Sequence, residues 1–327
     1  MGQTLSEPVT KKETTSDENH SLKVGASCMQ GWRITMEDEH VHKLCLNDEK
    51  DTHFFAVFDG HGGQASAQFA AKHLDHCIVS HSGYRNCDIA ASCKGGFLAV
   101  DEQLNKESLG KEDSSGCTAV SVLIKGNKLY CANAGDSRAV ASVRGHAQLL
   151  SFDHKPNHDR EMRRINAAGG FVEFNRVNGN LALSRALGDF VFKKNEHLRV
   201  EEQIVIAEPD VICKEISKDH EFVVLACDGI WDVLSNQDVV EFVRDKLAQK
   251  IEPEQICEDL MDKCLASECA MGGVGCDNMT VIIVALKQNG SFDELCKKCA
   301  VAKRDPIPPS CLLASYPDYV KGGISCL

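Results

Sequence analysis

Residues 53–63 read HFFAVFDGHGG, an apolar run that ends in an aspartate and a glycine-rich turn. Short apolar runs bounded by turn residues predict strands that are buried on both faces. Further runs of this kind occur at 118–124, 128–133, 222–227 and 279–286. Helical patterns occur at 64–80, 89–104, 160–168 and 235–249. We therefore predict an α+β fold in which antiparallel sheets are covered by helices.

The chain divides into a central domain and two flanking segments. Residues 21–288 contain neither a long linker nor an internal repeat, so we predict one domain there. Residues 1–20 have few large apolar side chains and are predicted to form a flexible arm. Residues 289–327 contain four prolines and are predicted to be an irregular tail.

Composition excludes several classes of protein. The net charge is −12 at pH 7, whereas a nucleic-acid binder needs a basic surface. The longest nearly unbroken apolar stretch, 279–286, is too short to cross a bilayer. The first twenty residues are polar and charged, which predicts no secretory signal. The 17 cysteines, an odd number spread along the chain, are therefore expected to be reduced thiols in the cytoplasm or nucleus.

Cys296 and Cys299 form a CxxC pair that could be half of a zinc site. Cys264, Cys269 or Cys276 would have to complete the ligand set. No second close pair accompanies the first, so we favour free thiols. Redox sensitivity of the pair stays open.

Acidic residues lie at the ends and beginnings of the predicted strands. Asp59 and Asp228 each follow an apolar run, whereas Glu37, Asp38 and Asp277 each precede one. Since the end of one antiparallel strand lies beside the start of its neighbour, these carboxylates are expected to meet at one rim. Such a group needs a cation to stay ionised, and oxygen ligands favour Mg²⁺ or Mn²⁺. A single aspartate after a strand is more often a turn residue, so spacing alone leaves both interpretations open.

Eight motifs follow one another along the chain. They are RITMED (33–38), DGHGG (59–63), GCTA (116–119), AGDSR (134–138), DHKP (153–156), RVNGNLALSRALGD (176–189), DGIWD (228–232) and DNMT (277–280). With this set the chain resembles the type 2C family of metal-dependent serine/threonine protein phosphatases over residues 22–286. The resemblance implies a four-layer sandwich of two antiparallel β-sheets flanked by helices. It also implies hydrolysis of phosphoserine and phosphothreonine in proteins, by direct attack of a water or hydroxide that bridges two metal ions.

The resemblance further implies the ligands of two tightly bound Mn²⁺ or Mg²⁺ ions and a weaker third. Asp59 would bridge the two tight ions, and the Gly60 carbonyl would complete the coordination of one of them. The ligands of the other tight ion would be Glu37, Asp228 and Asp277. The third ion would be held by Asp136, Asp228 and Asp232.

The resemblance also implies roles for three more residues. Asp38 would orient a metal-bound water without being a ligand itself. Arg33 would bind the substrate phosphate, for which its planar fork of donors is better suited than a lysine. His61 would protonate the leaving alkoxide as a general acid. An ordinary surface ion pair for Arg33 and a turn histidine for His61 are the alternatives.

Two rival functions share this fold and must be weighed. A catalytically dead scaffold would lack at least one metal aspartate, and none is missing here. A phosphatase for small phosphorylated metabolites would use the same residues, so that alternative stays open beside phosphoprotein substrates.

The first residues, MGQTLS, fit the acceptor pattern for N-myristoylation at Gly2. An ordinary polar start is the alternative. One acyl chain gives only marginal membrane binding, and Lys11 and Lys12 add little positive charge. We therefore expect a cytoplasmic monomer with reversible membrane contact.

Overall fold

The computed structural model describes residues 4–108, 113–269 and 273–302. Its strands, numbered in chain order, are β1 (Thr4–Glu18), β2 (Leu22–Arg33), β3 (Glu39–Lys43), β4 (Thr52–Phe58), β5 (Gly60–His61), β6 (Gly116–Cys117), β7 (Ala119–Lys125), β8 (Lys128–Ala134), β9 (Arg138–Val143), β10 (His146–Leu149), β11 (Val172–Glu173), β12 (Arg176–Val177), β13 (Leu187–Gly188), β14 (Asp210–Glu215), β15 (His220–Ala226) and β16 (Met279–Leu286). Its α-helices are α1 (Ala65–Ser80), α2 (Ser82–Arg85), α3 (Ile89–Ser108), α4 (Asp159–Ala167), α5 (Asp228–Trp231), α6 (Asn236–Ala248), α7 (Pro253–Cys264) and α8 (Phe292–Cys299). Short 3₁₀ helices cover Phe190–Phe192 and Val200–Glu202.

Two antiparallel sheets pack face to face. One has the strand order β1-β2-β16-β15-β9-β10, and the other has the order β14-β8-β7-β4-β3. Phe55 and Val57 of β4 pack between the sheets against Val223 and Leu225 of β15. Because successive side chains point to opposite faces of a strand, the alternate residues of β4 face outward, where a second core begins.

Helices cover the outer faces of both sheets. Phe54 of β4 packs in one cluster with Leu74 of α1 and Phe97 of α3. Val224 of β15 packs in another, formed largely by α6 and α7. The order helix, sheet, sheet, helix confirms the predicted four-layer α+β sandwich. Among the helices described, none has the length and apolar character needed to cross a membrane.

The strand registers bring strand ends and beginnings together. Glu39, the first residue of β3, lies opposite Phe58, the last residue of β4. Ala226, the last residue of β15, lies opposite Val281 near the start of β16. The acidic residues that flank these strands therefore meet at one rim, as the spacing predicts.

The prediction of a flexible arm over residues 1–20 is wrong for Thr4–Glu18, which forms β1 and pairs with β2. The strand also contacts α7, because the Thr14 hydroxyl donates to Glu258 at 2.6 Å and the Lys12 ammonium pairs with Asp262 at 2.6 Å. These contacts are polar and distant in sequence, so the weak apolar pattern of the segment gives no sign of them.

The prediction of an irregular tail is likewise wrong where α8 forms. Ser291 and Glu294 make a capping box at its start, which satisfies free backbone N–H groups there. Leu295, Cys296 and Cys299 form its buried side. The rest of the predicted tail, 303–327, lies outside the described residues.

The expectation that all cysteines are free thiols is wrong at one pair. A disulfide joins Cys269 to Cys276. The two are only seven residues apart, so the bond closes a local loop.

Candidate active site

Three aspartates meet at the rim where strands of both sheets end. Oxygens of Asp59, Asp136 and Asp228 lie within 4.8 Å of one another. Asp59 directly follows β4, Asp136 lies in the turn from β8 to β9, and Asp228 begins α5. A second group within the same limit joins Asp59 to Asp38 and the Cys227 thiol. Asp59 belongs to both groups, and its partners in the second are Asp38 and Cys227, not the predicted ligands Glu37 and Asp277.

This acidic group contains more negative charge than nearby cations balance. Burial is the main cause that raises the pKa of Asp59 well above its usual range, and the negative charge of Asp228 is the next. Burial, followed by the charge of Asp136, raises the pKa of Asp228 in the same way. Burial also raises the pKa of Asp136, against the opposing charge of Lys155. Bound divalent cations would remove the repulsion, so the donor set fits Mg²⁺ or Mn²⁺.

Asp38 forms the buried floor of the site. Thr280 donates its hydroxyl proton to the carboxylate Oδ2 at 2.7 Å. Burial raises the pKa of Asp38 to about 7, although that hydrogen bond opposes the shift. The fixed carboxylate can accept a hydrogen bond from a water in the site.

Glu37 and Asp277 lie beside the aspartate groups and belong to neither of them within the described chain. The Gly63 amide donates to Glu37 at 3.1 Å. A Cβ on Gly60 would lie 2.2 Å from the Glu37 carbonyl oxygen, so only glycine allows these two segments to touch. Arg33 donates to Asp277 at 2.5 Å, so the predicted phosphate ligand pairs with a predicted metal ligand.

The DHKP motif packs around the turn that holds Asp136. The Lys155 ammonium pairs with Asp136, a partner that sequence analysis missed. His154 Nδ1 accepts from the amide of Gly135, next to Asp136, at 3.2 Å. Asp153 accepts two bonds from Arg138, at 2.9 and 2.8 Å. The turn is therefore held on several sides.

Asp232 lies at the C-terminal end of α5 and is exposed. Its amide donates to the Asp228 carbonyl at 2.8 Å, so one helical turn separates the two residues. Its carboxylate lies outside both aspartate groups in the described chain.

His61 contacts an acidic residue that sequence analysis missed as a site residue. Its Nε2 lies 2.6 Å from Oδ2 of Asp189. Burial lowers the pKa of His61, but the hydrogen bond and charge of Asp189 outweigh burial and raise it. The one sequence signal was that Asp189 ends the longest motif.

The zinc alternative finds no support in the part of the chain that the structure describes. Cys296 and Cys299 are buried on α8, and neither belongs to a group of three potential ligands there. Gly2 lies outside the described residues.

Comparison with known proteins supplies independent information. The sequence profile described as protein phosphatase 2C matches residues 22–271. A probable protein phosphatase 2C of Caenorhabditis elegans is 58% identical over 300 residues, covering 92% of this chain and 84% of that protein. A protein phosphatase 2C homolog of Schizosaccharomyces pombe is 52% identical over 299 residues, covering 90% and 81%.

A solved structure shows the same fold. The phosphatase from a pathogenic strain of Toxoplasma gondii superposes with a TM-score of 0.71 at 29% identity, covering 84% of this chain and 96% of that one.

Proposed function

The chain belongs to the protein phosphatase 2C family and is a metal-dependent serine/threonine phosphatase, and we propose that Asp59 lies at the centre of a two-metal site that drives its reaction. The supporting observation is the close group of the half-buried Asp59 and Asp228 with the buried Asp136, whose mutual repulsion calls for cations. When bound, two Mn²⁺ or Mg²⁺ ions would supply an activated water and offset the charge that develops on the phosphate.

The ligands of the proposed pair are Asp59, the Gly60 carbonyl, Glu37, Asp228 and Asp277. Asp59 and Asp228 lie in one aspartate group, and the charge of Asp277 helps to raise the pKa of both. Glu37 accepts from the Gly63 amide in the turn that follows Asp59. Asp136 and Asp232 are proposed to hold a weaker third ion with Asp228. That ion does not share the bridging Asp59, and its proposed ligand Asp232 is exposed, so it exchanges more readily with the medium.

The protein's own groups position the substrate and move protons. Arg33 is 40% exposed in its side chain and can turn from Asp277 to donate to a phosphate oxygen. Asp38, held by Thr280, orients the attacking water. His61 gives a proton to the leaving oxygen, which matters because serine and threonine alkoxides are poor leaving groups.

We also propose that Gly2 is myristoylated and that the monomeric enzyme contacts membranes reversibly from the cytoplasm. The supporting observation is the acceptor pattern MGQTLS at the start of the sequence. An intact mass from a eukaryotic host that shows unacylated Gly2 would refute the modification.

The proposed reaction is tested with phosphoserine and phosphothreonine peptides after exhaustive chelation. We expect no turnover until Mn²⁺ or Mg²⁺ is added, and full activity in the chelated protein would refute the proposal. Small phosphate esters measured in parallel distinguish protein substrates from metabolites, since a metabolite phosphatase would prefer the esters.

A further inference from the structure

We propose that Asp189 is the positioning residue for His61: it fixes the orientation of the imidazolium that protonates the leaving group and the tautomer of the neutral ring that remains. The inference rests on the proposed role of His61 as general acid. It concerns a residue in the segment between α4 and β14, 128 positions from His61 in sequence.

The contact is short and one of its partners is buried. His61 Nε2 lies 2.6 Å from Asp189 Oδ2, and the side chains are 28% and 6% exposed. Asp189 has little freedom to move away. Its amide donates to the Ser115 carbonyl at 3.1 Å, and its own carbonyl accepts from the Phe192 amide at 2.9 Å.

The backbone around the pair is arranged so that the two side chains can meet. β5, β6 and β13 form a small sheet in which His61 lies opposite Gly116 and Gly116 lies opposite Gly188. A Cβ on Gly116 would lie 2.2 Å from Asp189 Oδ2 and 2.5 Å from His61 Nε2. The middle strand therefore carries no side chain at the one position where a side chain would separate the pair.

Asp189 itself has φ 52°, a left-handed conformation that asparagine and aspartate tolerate better than most residues. This conformation follows β13 directly and turns the chain into the 3₁₀ helix Phe190–Phe192. The carboxylate is thus presented from a turn whose geometry suits few other side chains.

The chemistry follows from which ring nitrogen is engaged. A carboxylate only accepts hydrogen bonds when ionised, so Nε2 keeps its proton and donates to Asp189. The acid is therefore the imidazolium form of the ring, which has a second proton on Nδ1, and Nδ1 is the nitrogen that transfers it. As the phosphorus–oxygen bond breaks, its electron pair goes to the leaving oxygen, and the proton on Nδ1 goes to the same oxygen. The neutral ring later regains a proton from water.

A neighbouring carboxylate offers a matched control. Asp101 accepts from the Gly188 amide at 2.8 Å and pairs with Lys193 at 2.8 Å. Asp101 is thus hydrogen-bonded to Gly188, the residue before Asp189. In the described structure none of its hydrogen bonds is to His61. Asp101→Asn therefore perturbs the same turn without touching the imidazole.

The experiment compares Asp189→Asn, His61→Gln, the double variant and Asp101→Asn in the full chain. Each is assayed on a phosphoserine peptide, whose leaving alkoxide needs protonation, and on an aryl phosphate, whose leaving group does not. Melting temperature and Mn²⁺ affinity by calorimetry report on folding and on the metal site. Asp189→Gly is the second variant, because glycine tolerates the left-handed turn while removing the carboxylate.

We expect Asp189→Asn to lower kcat on the phosphopeptide by about 10- to 100-fold, which is part of the roughly 10²–10⁴-fold that a general acid contributes. The same variant should change the aryl phosphate rate by less than about threefold, since that reaction gains little from an acid. In the His61→Gln background Asp189→Asn should add no further loss. Asp101→Asn should show no selectivity between the two substrates.

Equal loss on both substrates for Asp189→Asn and Asp189→Gly would overturn the inference, as would additive losses in the double variant. Selectivity in His61→Gln without selectivity in the Asp189 variants would overturn the inference and leave the acid role of His61 standing. A lack of selectivity in His61→Gln would refute the acid role itself. A larger loss on the phosphopeptide than on the aryl phosphate in Asp101→Asn would also overturn the inference, because the effect would then come from disturbing the turn and not from the contact with His61.

Discussion

Two acidic groups in this protein, one at Glu161 and one around Asp59, differ in what neutralises their negative charge. Glu161 on α4 accepts from Arg185 at 2.8 Å and from Arg164 at 2.6 Å. Burial would raise the pKa of Glu161, but the charges of these arginines hold it well below its usual range. Around Asp59 the balance is reversed, because burial and neighbouring carboxylates both raise its pKa. The chain neutralises the first group itself, whereas the second requires cations from solution.

The largest expected effect is on catalysis at the second group. Asp59→Asn should lower kcat on a phosphoserine peptide by at least about 10³-fold, since loss of one transition-state donor alone can cost 10²–10³. In chelator the same variant should melt at a higher temperature than wild type, because one repelling charge is gone. Asp262→Asn, at an exposed ion pair, is the control and should stay active. Retained activity in Asp59→Asn would contradict the comparison.

At the first group the expected effect is on stability instead. Glu161→Gln leaves the buried Arg185 with Asp210, 3.1 Å away, as its remaining ionic partner, which should destabilise the fold by about 3 kcal/mol and lower the melting temperature by roughly 10 °C. Calorimetry checks both values. Glu102→Gln, which removes an exposed pair with Lys106, should leave the melting temperature nearly unchanged. A stable Glu161→Gln would mean that the arginines do not depend on this carboxylate.

Added metal should have a smaller effect, on the melting temperature, and that effect should depend on Asp59 and not on Glu161. At a Mn²⁺ concentration of about 100 times Kd, binding to the native state alone adds about 2.7 kcal/mol per site. A thermal shift assay should show this stabilisation in wild type and in Glu161→Gln. The shift should be strongly reduced in Asp59→Asn. An equal shift in all three would place the bound metal elsewhere.

The two groups should also respond to pH in opposite directions. The pKa of Asp38 is raised to about 7 in the folded protein, against about 3.9 in an unfolded chain. Between those values the native state binds more protons than the unfolded chain. Asp38 therefore lowers the free energy of unfolding as pH rises from about 4 to 7. The lowered pKa of Glu161 gives stability that is present above about pH 4 and is lost as pH falls further.

Melting of metal-free wild type and Asp38→Asn across that range checks the first half of this prediction. The melting temperature of Asp38→Asn should rise relative to that of wild type as pH rises, and Mn²⁺ should reduce this difference. A gap between the two proteins that does not change with pH would contradict the assignment.

The sequence predicted the parts of the site that depend on strand ends. Asp59 and Asp228 follow apolar runs, and the antiparallel registers bring them to one rim. The partners of these residues were not predictable in this way. Lys155 lies 19 positions from Asp136, and Asp189 lies 128 positions from His61. Such contacts depend on how loops pack over the rim, which no local pattern encodes.

The same limit explains the misplaced flanking segments. Sequence patterns predicted the central strands because each carries its own apolar run. β1 lacks such a run and is held by backbone pairing with β2 and by polar contacts to α7. The capping box and buried side of α8 were visible in sequence, but the prolines beyond it dominated the prediction of an irregular tail.

Calorimetric titration of Mn²⁺ into chelated protein tests the central claim most directly, namely that Asp59 organises a cation site which the chain cannot neutralise alone. Wild type should bind two ions tightly, and Asp59→Asn should lose tight binding of both. Glu161→Gln, titrated below its melting temperature, should bind as wild type does. Undiminished binding in Asp59→Asn, or no tight binding in wild type, would contradict the account.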